Sequence, residues 1–176
     1  MEMYKQFRID KRGNLHPLFV FANETIPQGV WLKAKPGNRL ESGKVASKLG
    51  GLAYRPGWHL SEAPFAPHIG IKEHGKIKYM HDDTVWALCE VYDEVDYTEY
   101  ARSFGMKNGK FKPRDAHIGA IPENGYYWYN TNPKAFGNWM IADRIMVKKV
   151  LTDEEVEEIC MKQFGIHSQP HRRVAC

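Results

Sequence analysis

The sequence predicts one α+β domain over residues 1–165, built on a strand-dominated mixed or antiparallel sheet with a C-terminal helix at about 153–164. Its 176 residues, 43% of them hydrophobic, suffice for one packed core. About five to seven short apolar segments are typical of strands, whereas a clear helix signal occurs only near the C-terminus. The polar residues 166–176 predict a flexible tail.

The first 60 residues predict four strands joined by glycine-containing loops. Residues 10–14 carry a Lys-Arg-Gly-Asn turn, which favours a hairpin between the first two strands. Residues 36–57 contain five glycines, so we expect a loop there with at most one helical turn, at 43–49. The predicted strands are 4–9, 15–21, 30–34 and 54–60.

The second half of the chain predicts further strands and a short helix. Thr84–Val91 is nearly all apolar and partly β-branched, which makes it the clearest strand of the sequence. The other predictions are a helix at 97–104, a polar loop at 105–113, and strands at 125–129 and 139–150 with a turn between them.

A capping box predicts where the C-terminal helix begins. Thr152 is followed three residues later by Glu155, so each side chain can satisfy the other residue's free backbone N–H. Leu151 and Val156 have the spacing of a hydrophobic staple around this cap. We therefore expect this helix to dock on the sheet through its apolar face.

Charge and composition restrict the possible partners. The net charge is +4, and residues 1–60 carry 10 basic and 4 acidic side chains. This excess indicates either a positive face for a phosphate, a nucleotide or nucleic acid, or an ordinary solvated surface. No apolar segment approaches the roughly 20 residues of a membrane span, and the first residues contain no signal peptide, which predicts a cytoplasmic protein and no membrane partner.

Three cysteines without a Cys-x-x-Cys spacing exclude a disulfide framework and a zinc knuckle. Cys89 and Cys160 are expected to be inert core residues. A series of histidines followed by aspartates has spacings that match no metal pattern, so we predict exposed loop histidines and no metal site. The series comprises His59, His68, His74, His81, Asp82 and Asp83.

The first candidate site lies around Gly57. In an extended strand Arg55, His59 and Ser61 would share one face, and Gly57 would leave room between them for a ligand. Arg55 can grip a phosphate, Trp58 can stack on a ring, and His59 can donate or accept a proton. The alternative is a Pro-Gly turn with a buried Trp58 and a surface His59.

The second candidate site is the aromatic segment 125–129. Tyr126 and Trp128 face one side of the predicted strand, while Tyr127 and Tyr129 face the other. One pair belongs to the core, and the other is free to stack on a planar ligand. Glu123 precedes the strand and is a candidate general base. The alternative is a turn that leads into a core strand.

Six short sequence blocks are spread over most of residues 4–158: 17–20 (PLFV), 29–32 (GVWL), 52–59 (LAYRPGWH), 66–70 (APHIG), 121–127 (IPENGYY) and 137–139 (GNW). Through these blocks the chain resembles a family of uncharacterised domains in phages and mobile elements of gut bacteria. The resemblance implies no known activity.

Three features follow one another along the chain: Arg8 near the end of a first strand, the Gly-Trp-His-Leu-Ser block at 57–61, and the apolar strand 85–91. Their order also resembles that of ADP-ribosyltransferase-like domains from the same mobile genetic elements. The resemblance implies NAD as a possible cofactor and a late glutamate that stabilises an oxocarbenium-like state. The predicted late strand carries no glutamate, so Asp143 or Glu123 would have to serve.

Two functions follow. The first is a nucleotide-binding (NAD or ADP-ribose), ADP-ribosyltransferase-like protein with Glu123 and His59 as catalytic residues. Its expected ligand-binding residues are Arg8, Arg55, Trp58, Ser61, Tyr126 and Trp128. The alternative is a non-catalytic protein, such as a counter-defence inhibitor, that binds nucleic acid or a host protein in the host-cell cytoplasm. No oligomeric state is predicted.

Overall fold

A nine-stranded sheet forms the centre of the structure, a computed structural model that describes residues 1–73, 76–79 and 83–168. Its strands are β1 (Glu2–Ile9), β2 (Leu15–His16), β3 (Trp31–Lys33), β6 (Trp58–Ser61), β9 (Thr84–Val91), β10 (Val95–Asp96), β13 (Gly125–Tyr129), β14 (Trp139–Ala142) and β15 (Arg144–Val150). Their order is β10-β13-β14-β6-β1-β9-β15-β3, and β2 pairs with β1. Within this sheet only β10 and β13 run parallel.

Three two-stranded hairpins lie outside the central sheet in the described residues. They are β4 (Val45–Ser47) with β5 (Gly50–Leu52), β7 (Gly70–Glu73) with β8 (Lys76–Tyr79), and β11 (Met106–Lys107) with β12 (Lys110–Phe111). The helices are α1 (Thr98–Gly105) and α2 (Asp153–Ile159). A 3₁₀ turn spans Pro113–Asp115, and a π-helical turn, Cys160–Phe164, continues α2.

Strand β1 organises the sheet because it pairs with β9 over its whole length. The register runs from Glu2 opposite Glu90 to Arg8 opposite Thr84. Along both strands, alternate side chains point to opposite faces. The first face carries a large core cluster that includes Met3, Phe7, Leu60, Val85, Ala87, Cys89, Met140, Ile145 and Val147.

The second face of the sheet is covered by the helices. Trp86 and Trp139 pack there with Val156 of α2, and Ala101 of α1 packs with Tyr127 and Ile141. The sheet also curls around its first face. Trp58 of β6 donates its indole N–H to the main-chain oxygen of Leu32 in β3 at 3.0 Å, although three strands separate β6 from β3 in the sheet order.

The structure confirms a sheet-dominated domain with a C-terminal helix, and it corrects several element boundaries. The predicted strand 15–21 ends at His16, and a β-hairpin replaces the helical turn expected at 43–49. The predicted strand 139–150 is interrupted at Asp143, which is fully buried. Asp143 accepts a hydrogen bond from the Asn124 N–H through Oδ2 and one from the Ala34 N–H through its main-chain oxygen.

The predicted capping box is present at the start of α2. The Glu155 N–H donates to Thr152 Oγ1 at 3.2 Å, and the Thr152 N–H donates to Glu155 Oε2 at 2.9 Å. Cys89 and Cys160 are both fully buried, as expected, and burial raises the pKa of their thiols to about 12 and about 11. Neither thiol is therefore ionised at neutral pH.

Part of the predicted tail is anchored to α2. His167 Nδ1 lies 2.6 Å from Glu157 Oε1, and the Ser168 hydroxyl donates to Glu157 Oε2. The remainder of the tail, residues 169–176, lies outside the described residues. In the described part of the chain, no helix is long and apolar enough to cross a membrane.

We expect Thr152→Ala to destabilise the protein by about 1 kcal/mol, because the Glu155 N–H loses its side-chain acceptor. For a domain of this size the loss corresponds to a decrease of about 2–4 °C in melting temperature. Thr152→Ser keeps the hydroxyl and is the matched control. Equal melting temperatures for the two variants would contradict a contribution from the cap.

Candidate functional site

The candidate site begins where β1 and β6 separate. These strands form one residue pair, Tyr4 opposite Ser61. Each continues to pair with its other neighbour, since β1 pairs with β9 as far as Arg8 and β6 pairs with β14 from Ser61 to Trp58. The sheet is therefore split between residues 5–7 of β1 and residues 58–60 of β6, and beyond the split Arg8 of β1 pairs with His16 of β2.

A cavity of about 530 Å³ lies at this split. Its lining includes Lys5, Trp58 and His59 from the two strands, together with apolar residues of the segment 17–27 and residues 52–57. Cavities of roughly 300–1,000 Å³ are typical of small-molecule sites in proteins. The volume is therefore suitable for a ligand of nucleotide size.

Lys5 places a positive charge at the split. Its ammonium donates to the main-chain oxygen of His59 at 2.9 Å and lies 5.6 Å from the ring centres of Trp58 and Phe7. No carboxylate pairs with it in the described part of the chain. Desolvation lowers the pKa of Lys5 to about 8, so the group is mostly charged at neutral pH.

His59 is held in one neutral tautomer. Its Nε2 lies 2.8 Å from the main-chain oxygen of Arg55, which can only accept, so Nε2 carries the proton and donates. Nδ1 is then the acceptor for the Tyr129 hydroxyl at 3.2 Å. Burial, with the nearby charges of Lys5 and Arg55, lowers the pKa of His59 to about 4. Both ring nitrogens are occupied, which makes His59 a wall of the site rather than a free base.

Arg55 is the second cation at the cavity. Its guanidinium makes only long contacts of 3.5 Å, to Thr131 Oγ1 and to the Arg114 main-chain oxygen, and it has no carboxylate partner among the described residues. Burial, followed by the charge of Arg55, lowers the pKa of nearby His117 to about 3. Lys5 and Arg55 both contact the uncharged His59, Lys5 through its ammonium and Arg55 through its main-chain oxygen.

Four of the predicted site residues have structural roles or positions away from the cavity. Arg8 donates to the main-chain oxygen of Ala22 at 2.5 Å and thereby fastens the following loop to β1. Ser61 is fully buried, and its hydroxyl accepts from the Ala63 N–H. Tyr126 and Trp128 pack against the first-face core cluster, and neither lines the cavity.

Glu123 does not meet the other predicted catalytic residue. Its side chain is exposed and does not line the cavity, and its main-chain oxygen accepts from the Tyr97 hydroxyl at 2.9 Å. Asp143 is also absent from the lining, since it is buried at the break between β14 and β15. The predicted residues that the structure does bring together are Arg55, Trp58 and His59.

The prediction of exposed loop histidines is wrong for His59 and His68: both are partly buried and line the cavity, and His59 lies in β6. The ring of His68 packs edge-on against Trp139, and burial lowers its pKa. His74, His81 and Asp82 lie outside the described residues. Within those that are described, no group of three or more His, Cys, Asp or Glu side chains is placed to hold a metal.

Sequence reasoning missed two residues of the site, Lys5 and Tyr129. Lys5 follows Tyr4 in a strand with mixed polarity, where a lysine normally indicates the solvent face. Tyr129 belongs to one of the two aromatic pairs that the sequence offers for the core, and it both packs against the core and lines the cavity. The His59–Tyr129 hydrogen bond joins residues 70 positions apart, so no local signal could have revealed it.

Comparisons of the chain with protein-family models, with curated proteins and with solved structures find no match. The function is therefore argued from the cavity and its charges.

We expect the stability of the wild type relative to Lys5→Met to increase between about pH 8 and pH 10.5. In the folded protein Lys5 loses its proton near pH 8, whereas in the unfolded chain it keeps the proton up to about 10.5. The unfolded state then binds more protons in this window, so stability rises with pH. Urea unfolding of both proteins across the window measures the difference. A difference that does not change with pH would contradict the desolvation of Lys5.

Proposed function

We propose that this chain is an α+β binding domain that holds a nucleotide-class anion, ADP-ribose or NAD, in the cavity between β1 and β6. The observation that carries the proposal is the pair of cationic residues, Lys5 and Arg55, that line the same cavity, contact His59 and lack carboxylate partners among the described residues.

The charges favour an anionic ligand. A desolvated cation is costly unless a negative group compensates it, and the described residues supply Lys5 with only a main-chain oxygen and two aromatic rings. A phosphate near Lys5 and Arg55 would supply the missing negative charge. His59 adds no repulsion because it remains neutral at physiological pH.

The aromatic residues favour a ligand with a planar part. Trp58 and Tyr129 line the same cavity as the two cations, and Trp58 is held by its hydrogen bond to Leu32. An indole held in place offers a flat apolar surface for a base or a nicotinamide ring. Phosphates and a planar ring occur together in nucleotides, which is why we prefer this class to simple anions.

The proposal is for binding rather than for transfer of ADP-ribose. Transfer would require a carboxylate at the developing positive charge. Glu123 is exposed outside the cavity lining, while Glu24, which does line the cavity, is exposed and forms an ion pair with Lys35 at 2.5 Å. Membership of a phage or mobile-element family remains a prediction from the sequence.

We expect ADP-ribose to raise the melting temperature, because a ligand that binds only the folded state stabilises it. ADP and NAD are also tested, and uncharged adenosine should have a much smaller effect. Lys5→Met and Arg55→Met should each weaken ADP-ribose binding about 10- to 100-fold, as is usual for the loss of a charge-assisted hydrogen bond. Calorimetric titration measures these affinities.

Lys11→Met is the matched control, since Lys11 is exposed in the turn between β1 and β2 and does not line the cavity. Its affinity should equal that of the wild type, and so should the affinity of Glu123→Gln. The proposal would be overturned by an unchanged melting temperature with every nucleotide, or by equal losses in Lys5→Met and Lys11→Met.

A further inference from the structure

A second surface of the protein exposes large apolar side chains on α1 and the hairpin after it. Tyr100, Phe104, Met106 and Phe111 are 55%, 44%, 54% and 39% exposed. We call these four residues the aromatic patch. None of them lines the cavity between β1 and β6. All four lie within residues 100–111, and large exposed apolar side chains of this kind are typical of interaction sites.

Helix geometry positions the first two rings of the aromatic patch. Ala101 and Gly105 are the buried residues of α1, and Tyr100 and Phe104 lie one turn apart on its exposed side. Their ring centres are 5.0 Å apart with planes at 73°. The two rings therefore support each other without being covered by the rest of the protein.

The hairpin β11–β12 positions the other two residues. Met106 lies directly opposite Phe111, and the connecting Asn108-Gly109 has positive φ at both residues, which suits a tight hairpin. The guanidinium of Arg102 lies 4.6 Å from the Phe111 ring centre. Phe111 also packs so closely on Gly105 that a Cβ there would lie 2.7 Å from the ring. The patch is thus held in place despite its exposure.

The charge around the aromatic patch is positive. Residues 98–115 contain five basic and two acidic side chains. Both acidic groups are engaged, Glu99 with Arg102 at 3.9 Å and Asp115 with Lys107 at 2.8 Å. The other three basic residues are exposed and form no ion pair in the described part of the chain; they are Lys110, Lys112 and Arg114.

We propose that the aromatic patch, with Lys110, Lys112 and Arg114, binds single-stranded nucleic acid. Every base has a flat face that can stack on an exposed aromatic ring, so stacking works without a particular sequence. The three unpaired cations provide for the phosphates of the strand. Because double helices keep their bases stacked inside, they cannot use Tyr100 and Phe104 in this way.

We expect a fluorescein-labelled 12-residue oligo(U) to bind with a logarithmic salt slope of about −2, since each neutralised phosphate of a single strand contributes about −0.7. Lys110→Gln with Lys112→Gln should reduce this slope to about −0.7. Tyr100→Leu with Phe104→Leu should keep the slope and weaken binding about 5- to 150-fold for each base that loses its stacking partner. Fluorescence anisotropy over a series of salt concentrations measures all three.

Leucine keeps an apolar side chain of good helix propensity, so these variants test the flat ring rather than the fold. Lys162→Gln is the matched control, because Lys162 is exposed and remote in sequence from the patch, and its binding should equal that of the wild type. Equal affinity for a duplex of the same length, or no loss in the leucine variants, would overturn the proposal. Binding of an acidic poly-glutamate peptide in preference to oligo(U) would overturn it in favour of a protein partner.

The two proposals can fail independently. If ADP-ribose occupies the cavity and oligo(U) the aromatic patch, saturating ADP-ribose should leave oligo(U) binding unchanged, and Lys5→Met should affect only ADP-ribose. Displacement of oligo(U) by ADP-ribose would show a shared site and would overturn the assignment to the patch.

Discussion

The separation of β1 from β6 is the constraint on which the cavity depends. A strand at the centre of a sheet normally pairs on both sides, yet β1 keeps only one pair with β6 while it keeps its whole ladder with β9. Lys5 bridges the gap through its bond to the His59 main-chain oxygen. The side chain thus replaces part of the missing ladder, and in doing so it places a partly buried cation at the cavity.

The hydrogen bond from Lys5, which stands in place of strand pairing, links the stability of the fold to the chemistry of the cavity. Burying a cation without a counter-charge is unfavourable, and mesophilic domains are stable by only about 5–15 kcal/mol. Functional sites commonly retain an uncompensated charge of this kind, because a bound ligand of opposite charge can compensate it. His59 limits the cost here, since its neutral tautomer, held by Arg55 and Tyr129, places no second charge beside Lys5.

Local signals predicted the parts of the fold that local energetics control. The capping box at Thr152 is a local interaction, and the nearly continuous apolar pattern of Thr84–Val91 indicates a buried strand whichever strands it pairs with. The break at Asp143 and the desolvation of Lys5 have no local signal, because both depend on residues far away in sequence. The Asn108-Gly109 dipeptide is typical of a tight hairpin, and the structure has one there in place of the polar loop that composition predicts. The sequence predicts segment 55–59 of the site. The contacts of this segment with Lys5 in β1 and Tyr129 in β13 are apparent only in the folded structure.

The two buried thiols can report how often the structure around each of them opens. Cys89 lies in β9, between β1 and β15, and Cys160 begins the helical turn that continues α2; both are fully buried with raised pKa values. A thiol reagent can reach them only when the surrounding structure opens. The modification rate of Cys89 would therefore measure the opening of the sheet at β9, and that of Cys160 would measure the release of the C-terminal helix. A ligand in the cavity would slow the modification of Cys89.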